Sequence, residues 1–180
     1  MLTENFDELY QKYFSEIYRH CYRIVRNKQD AEELCNEVFV KAYFHRNQFV
    51  AEKGNFRNWF FAIATNLCFD FIDSVNQRKR QQTQSLDERN FIENNSTHPD
   101  NQSEYQQLLQ FIEDCLAELS AEERIAVSLR HLQGFILQEI AEILGLSSPN
   151  SAKNRIKSGE KKMKECLENK GIDEQYWQIA

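Results

Sequence analysis

Glycine and proline are scarce, five and two in 180 residues, so the chain lacks the frequent breaks that many short strands require. β-Branched residues do not gather into alternating runs, and apolar residues recur at helical spacing nearly throughout, which predicts an all-α fold. No run of about 18 apolar residues occurs, and the N-terminus carries Glu4, Asp7 and Glu8 in place of a basic signal region. These absences argue against a membrane span and a secretory leader and place the chain in the cytoplasm. The cysteines (Cys21, Cys35, Cys68, Cys115 and Cys166) are odd in number, widely spaced and without a C-x-x-C pair. Most fall on apolar stripes, so buried thiols are expected in preference to disulfides or zinc ligands. The histidines are scattered as well. There is no glycine-rich phosphate loop, metal-ligand spacing or nucleophile–base grouping, so no catalytic residue, metal or cofactor is assigned and an enzyme is not expected.

Net charge is −6, unfavourable for gripping nucleic acid by charge alone, but its distribution is uneven. Between Asn150 and Lys164 six Lys/Arg face a single Glu, whereas residues 81–104 hold five acids against one Arg. The acidity is therefore concentrated away from one basic segment, a pattern a DNA-binding chain tolerates when it works beside a larger partner.

Three helices are expected in the first 80 residues. The first, from about residue 5 to 25, carries a regular stripe of Phe6, Leu9, Tyr13, Ile17, Cys21 and Ile24. The second opens at Asn27, a good N-cap, with Ala31, Leu34, Cys35, Val38, Phe39 and Ala42 inward. The third begins near Phe56 and ends in Arg78-Lys79-Arg80. Its inner stripe is read as Trp59, Phe60, Ile63, Ala64, Leu67, Phe71, Ile72 and Val75, with Phe61, Asn66, Phe69 and Asp70 elsewhere on the helix. Residues 81–103 are polar and read as a flexible linker, with Phe91-Ile92 as its one apolar anchor. Residues 104–170 form a second helical domain, in which Ser120-Ala-Glu-Glu123 is a capping box. Residues 171–180, with Tyr176 and Trp177, make a tail.

The most informative stretch lies in that second domain. Ile140, Ala141 and Leu144 give a narrow apolar stripe, and Gly145 suits the left-handed position that ends a helix. Ser148 offers an N-cap and Pro149 the first helical position, ahead of Lys153, Arg155 and Lys157. That is helix-turn-helix chemistry with a basic second helix; a plain helical hairpin with a solvated basic face is the bland alternative.

Taken in order, Asp30-Ala-Glu-Glu-Leu-Cys-Asn-Glu-Val-Phe-Val-Lys-Ala42, Asn55-Phe-Arg-Asn-Trp-Phe-Phe-Ala-Ile-Ala-Thr-Asn-Leu-Cys-Phe-Asp-Phe-Ile72, and Leu119-Ser-Ala-Glu-Glu-Arg-Ile-Ala-Val-Ser-Leu-Arg130 with the helix-turn-helix resemble a bacterial RNA polymerase sigma factor of the extracytoplasmic-function (ECF) type, across nearly the whole chain. The resemblance implies a first domain (1–80) that binds the clamp coiled coil of core polymerase through Asp30, Glu33, Asn36, Glu37 and Lys41. The same domain would capture and melt the downstream promoter element with Phe49, Lys53, Arg57, Phe61, Asn66, Phe69, Asp70, Arg78, Lys79 and Arg80, with Phe61 and Phe69 as base-stacking rings. The second domain would read the upstream element through Gln138, Ser151, Lys153, Asn154, Arg155 and Lys157, with Asn154 and Arg155 on bases and Lys153 and Lys157 on phosphates. It would also meet the polymerase flap. Such factors are commonly held by an anti-sigma factor, take no small-molecule substrate, and are expected to be monomeric when free. Two departures from the family pattern imply a different approach to DNA: Ser147-Ser148-Pro149-Asn150 is one residue longer than usual, and Ser158-Gly159-Glu160 replaces a more basic stretch. The alternatives are a sigma-like adaptor or decoy that binds protein instead of promoter, and a helix-turn-helix regulator that works without polymerase.

Overall fold

A computed structural model of the chain describes residues 6–49, 55–82 and 104–172. Among them are seven α-helices: α1 (Phe6–Val25), α2 (Lys28–His45), α3 (Phe56–Gln82), α4 (Glu104–Glu118), α5 (Ala121–Val127), α6 (Leu137–Ile143) and α7 (Pro149–Asn169). No strand occurs among the described residues. The linker sequence beyond Gln82, with Phe91-Ile92, and the tail with Tyr176 and Trp177 lie outside them.

The local signals act as the sequence predicts. The Asn27 side chain accepts from the N–H groups of Gln29 (2.9 Å) and Asp30 (3.1 Å), capping α2. Ser120 and Glu123 form the reciprocal capping box of α5. Ser148 caps α7 with Pro149 at its first position. Gly145 is left-handed (φ 61°), and the Leu146 N–H reaches back to the Ala141 carbonyl at 2.8 Å, closing α6 in the usual 6→1 cap. The buried face of α2 is Ala31, Leu34, Cys35, Val38, Phe39 and Ala42.

Helices α1, α2 and α3 pack on one another, and α7 gathers α4, α5 and α6 around it. The two groups do not stand apart. α3 lies against α6 and α1 against α5, so one buried cluster runs from Leu9 and Phe60 through Phe61 to Phe135, Ile140 and Ile156. A wide π turn at Ser128–Leu132 and a left-handed Gly134 (φ 73°) swing Phe135 into that junction. Its ring meets Phe61 edge to face at 5.0 Å.

A smaller cluster, Cys115, Leu116, Leu119, Val127, Met163, Cys166 and Leu167, joins α4, α5 and α7. Here the expectation of buried thiols in preference to disulfides fails for two of the five cysteines, because Cys115 and Cys166 form a disulfide. They are 51 residues apart, but α4 packs alongside α7 and brings their Cα atoms to 5.7 Å, within disulfide reach. Cys21, Cys35 and Cys68 are buried free thiols.

Candidate nucleic-acid interface

The second unit presents its basic helix cleanly. Ala152, Ile156, Gly159 and Met163 bury the inner face of α7, which leaves Lys153, Asn154 and Lys157 exposed on the opposite ridge of its first turns. Ser151 is half-buried and pairs with Ser148 at the cap (3.1 Å). Gln138, on α6, is exposed and donates to Glu142 at 3.0 Å.

Arg155 does not share the outer ridge. Its side chain is 29% exposed and forms an ion pair with Glu122 of α5 at 2.9 Å. Residue 155 follows buried Ala152 by three, and helical geometry turns it sideways toward α5, so base reading by Arg155 would require this ion pair to open.

Glu123 holds α7 against α5. It accepts from Ser158 (2.7 Å) and from Lys162 (2.8 Å), as well as from its own capping serine. The Lys162 ammonium foremost, with the serine hydroxyls, holds this carboxyl down at about 2. Gly159 sits over Val127; a Cβ there would lie 2.6 Å from Val127 Cγ2. The departure Ser158-Gly159-Glu160 therefore has a packing reason, since Ser158 and Gly159 meet α5 and Glu160 pairs with His131 in the turn that follows it, while Lys153, Asn154 and Lys157 form the exposed ridge.

On α3, Asn66, Asp70 and Asp73 are exposed at successive turns, and Arg78 and Arg80 are exposed near its C-terminal end. Phe69 is half-buried and packs on the main core, and so presents only part of its ring. Phe61 is fully buried, at 0% exposure, between His20 and Phe135. It cannot offer a stacking surface in this arrangement, which corrects that expectation. One apolar stripe was counted along α3, whereas the helix buries two faces, one on α1 and α2 and one on the second unit. Trp59 is half-buried against Phe49 and Phe56, not part of the inner core. Lys53 lies outside the described residues, as does the Lys79 side chain.

Arg57 is committed to an internal network. Its Nε and Nη2 donate to Glu16 Oε2 at 3.1 and 3.0 Å. Nη1 and Nη2 donate to the Gln133 carbonyl and side chain, both at 3.0 Å. The guanidinium also lies 4.3 Å from the Phe135 ring centroid. Beside it Asn58 Nδ2 donates to Glu139 Oε1 at 3.1 Å, and Glu139 also caps α6 through the Ile136 N–H at 2.9 Å. A phosphate contact from Arg57 would require this latch between the units to open.

On α2, Glu33, Asn36 and Glu37 are exposed, Lys41 is half-buried and pairs with Glu37 (3.5 Å), and Asp30 is half-buried. Burial first, and then the Glu33 charge, push the Asp30 carboxyl up. Sequence reading missed the apolar part of this surface: Val40, Tyr43 and Phe44 are exposed, Phe44 at 72%. Their signal was present, since all three stand off the buried stripe of α2. It also missed an apolar cavity of about 50 Å³ in the second unit, lined by Ile112, Leu116, Val127, Leu132 and Met163 beside the His131–Glu160 pair.

The family Sigma-70 region 2 matches residues 9–79, and Sigma-70, region 4 matches residues 110–163. The chain belongs to the sigma-70 family, in its ECF group. The ECF RNA polymerase sigma factor SigM of Bacillus subtilis (strain 168) is 28% identical over 176 residues, which are 94% of this chain and 98% of SigM. SigE of Mycolicibacterium smegmatis is 28% identical over 164 residues; they are 91% of this chain and only 62% of SigE. The sigma factor RpoE of Bartonella quintana, crystallised with the anti-sigma factor NepR, shares the fold with a TM-score of 0.68 at 23% identity, over 91% of this chain and 96% of RpoE. As a sigma factor the chain acts in promoter recognition. No described helix is long and apolar enough to cross a membrane.

Proposed function

We propose that this sigma factor joins core RNA polymerase through α2 and the second-unit cavity and reads two promoter elements with two helix ridges. Val40, Tyr43 and Phe44 would supply the apolar centre of the clamp contact, ringed by Glu33, Asn36, Glu37 and Lys41. The Ile112–Met163 cavity suits an apolar segment of the flap. Asn66 and Asp70 of α3 accept or donate hydrogen bonds to bases, with Arg78 and Arg80 on backbone phosphates. Lys153 and Lys157 of α7 anchor phosphates in the upstream element, and Asn154 reads a base edge. An anti-sigma factor is a further partner in this proposal.

The observation that carries the reading is the α7 ridge, three exposed polar and basic side chains on a helix whose other face is locked to α5 and α6. A regulator that works without polymerase would have no use for the exposed apolar face of α2. The test mixes the purified chain with bacterial core polymerase, follows co-elution, and maps transcription starts from a genomic promoter library. Co-elution with new starts is expected. Failure of the folded chain to bind core polymerase would refute the proposal. A Lys153→Ala/Asn154→Ala variant is expected to lose upstream-element recognition and retain core binding.

A further inference from the structure

We infer that the junction of the two units contains a binding site for a small tetrahedral oxyanion, inorganic phosphate being the abundant one, held by Arg26 and Arg124. The site is a cavity of about 60 Å³ between the C-terminal end of α1 and the helices α4 and α5. Arg23 and Arg26 enter it from the first unit, and Glu113, Asp114 and Arg124 from the second. Three of these groups already have partners. Arg23 donates to Glu113 Oε1 at 3.2 and 3.1 Å, and Asp114 accepts from Gln110 at 2.9 Å. Two guanidinium groups remain. Arg124 is only 8% exposed, yet its Nε and Nη1 have no hydrogen-bond partner. Arg26 forms no side-chain hydrogen bond or ion pair with any described residue.

A buried guanidinium with orphaned donors is costly unless a counter-charge meets it. Burial first and the Arg26 charge next push the Arg124 guanidinium down to about 10, while Glu113 opposes that shift. Glu113 is shared with Arg23, and three arginines face two carboxylates, Glu113 and Asp114, so one positive charge stays in excess in a polar space that opens to solvent on the Arg26 side. An oxyanion would fill the orphaned donors and offset both charges, and guanidinium forks match its geometry. The small volume suits an ion the size of inorganic phosphate. Because the lining comes from both units, bound phosphate would also tie α1 to α4 and α5 and favour the packed arrangement. The site stands independently of the promoter-reading assignments.

The test is calorimetric titration of the full chain with inorganic phosphate, at constant ionic strength made up with chloride, together with thermal melting across the same series. One saturable site is expected, with a melting temperature that rises as phosphate fills it. Arg26→Gln, at an exposed position that does not threaten the fold, is expected to weaken binding at least ten-fold. Lys153→Gln/Lys157→Gln, on the DNA-facing ridge, is expected to leave it unchanged. The inference is overturned if no saturable binding is seen in the wild-type chain. It is equally overturned if the α7 double variant loses binding while Arg26→Gln keeps it, since phosphate would then be occupying the DNA ridge.

Discussion

Replacing Arg57 by alanine separates two roles for one residue. In the packed arrangement its guanidinium spans the units, with two hydrogen bonds to Gln133 and a cation–π contact to Phe135. A hydrogen bond from a charged donor contributes about 1.5–3 kcal/mol, and a cation–π contact about 0.5–2 kcal/mol. The side chain is 26% exposed, so water recovers part of the loss. Glu16 lies in the same unit as Arg57, and losing that pair does not bear on docking. A net weakening of docking by about 2–4 kcal/mol follows, a shift of roughly 30- to 700-fold toward separated units. Small-angle scattering should show a larger radius of gyration for Arg57→Ala. Hydrogen exchange should quicken at the Phe135 amide, which bonds to the Leu129 carbonyl at 3.0 Å. A double-mutant cycle with Phe135→Ala should be non-additive, because the two side chains touch. Unchanged scattering and exchange, combined with weaker promoter binding, would refute the latch and return Arg57 to the phosphate-contacting role the sequence suggested.

Three further outcomes are expected. His20 is fully buried beside Thr65 (2.9 Å), and burial, with a smaller push from the Arg23 charge, lowers its pKa from 6.5 to about 3. Its neutral form is the folded one, so stability is complete above pH 6.5 and is lost as pH falls toward 3. The slope is about 1.4 kcal/mol per pH unit, or ~2 kcal/mol between pH 6.5 and 5. Chemical denaturation at several pH values should show this slope in the wild-type chain and its absence in His20→Gln; equal slopes would rule His20 out. Gly159→Ala places a methyl 2.6 Å from Val127 Cγ2 and should cost about 1–3 kcal/mol, read as a lower melting temperature. An unchanged melting temperature would show that α5 and α7 have room to part. Reducing the Cys115–Cys166 disulfide opens a loop closed across 51 residues and should destabilise the second unit by roughly 2–4 kcal/mol, measured by denaturant melts with and without reductant. A Cys115→Ser/Cys166→Ser variant should then be indifferent to reductant.

Much of this protein was settled by local chemistry that a linear reading can follow. The caps at Asn27, Ser120 and Ser148, the left-handed Gly145 and the α2 stripe each depend on residues within one or two turns of each other, so the helices and the helix-turn-helix were legible in the chain itself. So were the exposed ridge residues Lys153, Asn154 and Lys157, because a helix that buries every third or fourth residue must turn the rest to water. Contacts between segments distant in sequence required the tertiary structure. Phe61 is buried and Arg57 is engaged because α6 and the Gly134–Phe135 turn cover that side of α3, and Arg155 is turned aside because α5 offers Glu122. The cysteine pairing and the Arg26–Arg124 cavity likewise arise where α7 meets α4 and where α1 meets α5. No spacing along the chain encodes those meetings, since they depend on which faces of the helices the rest of the chain has already buried.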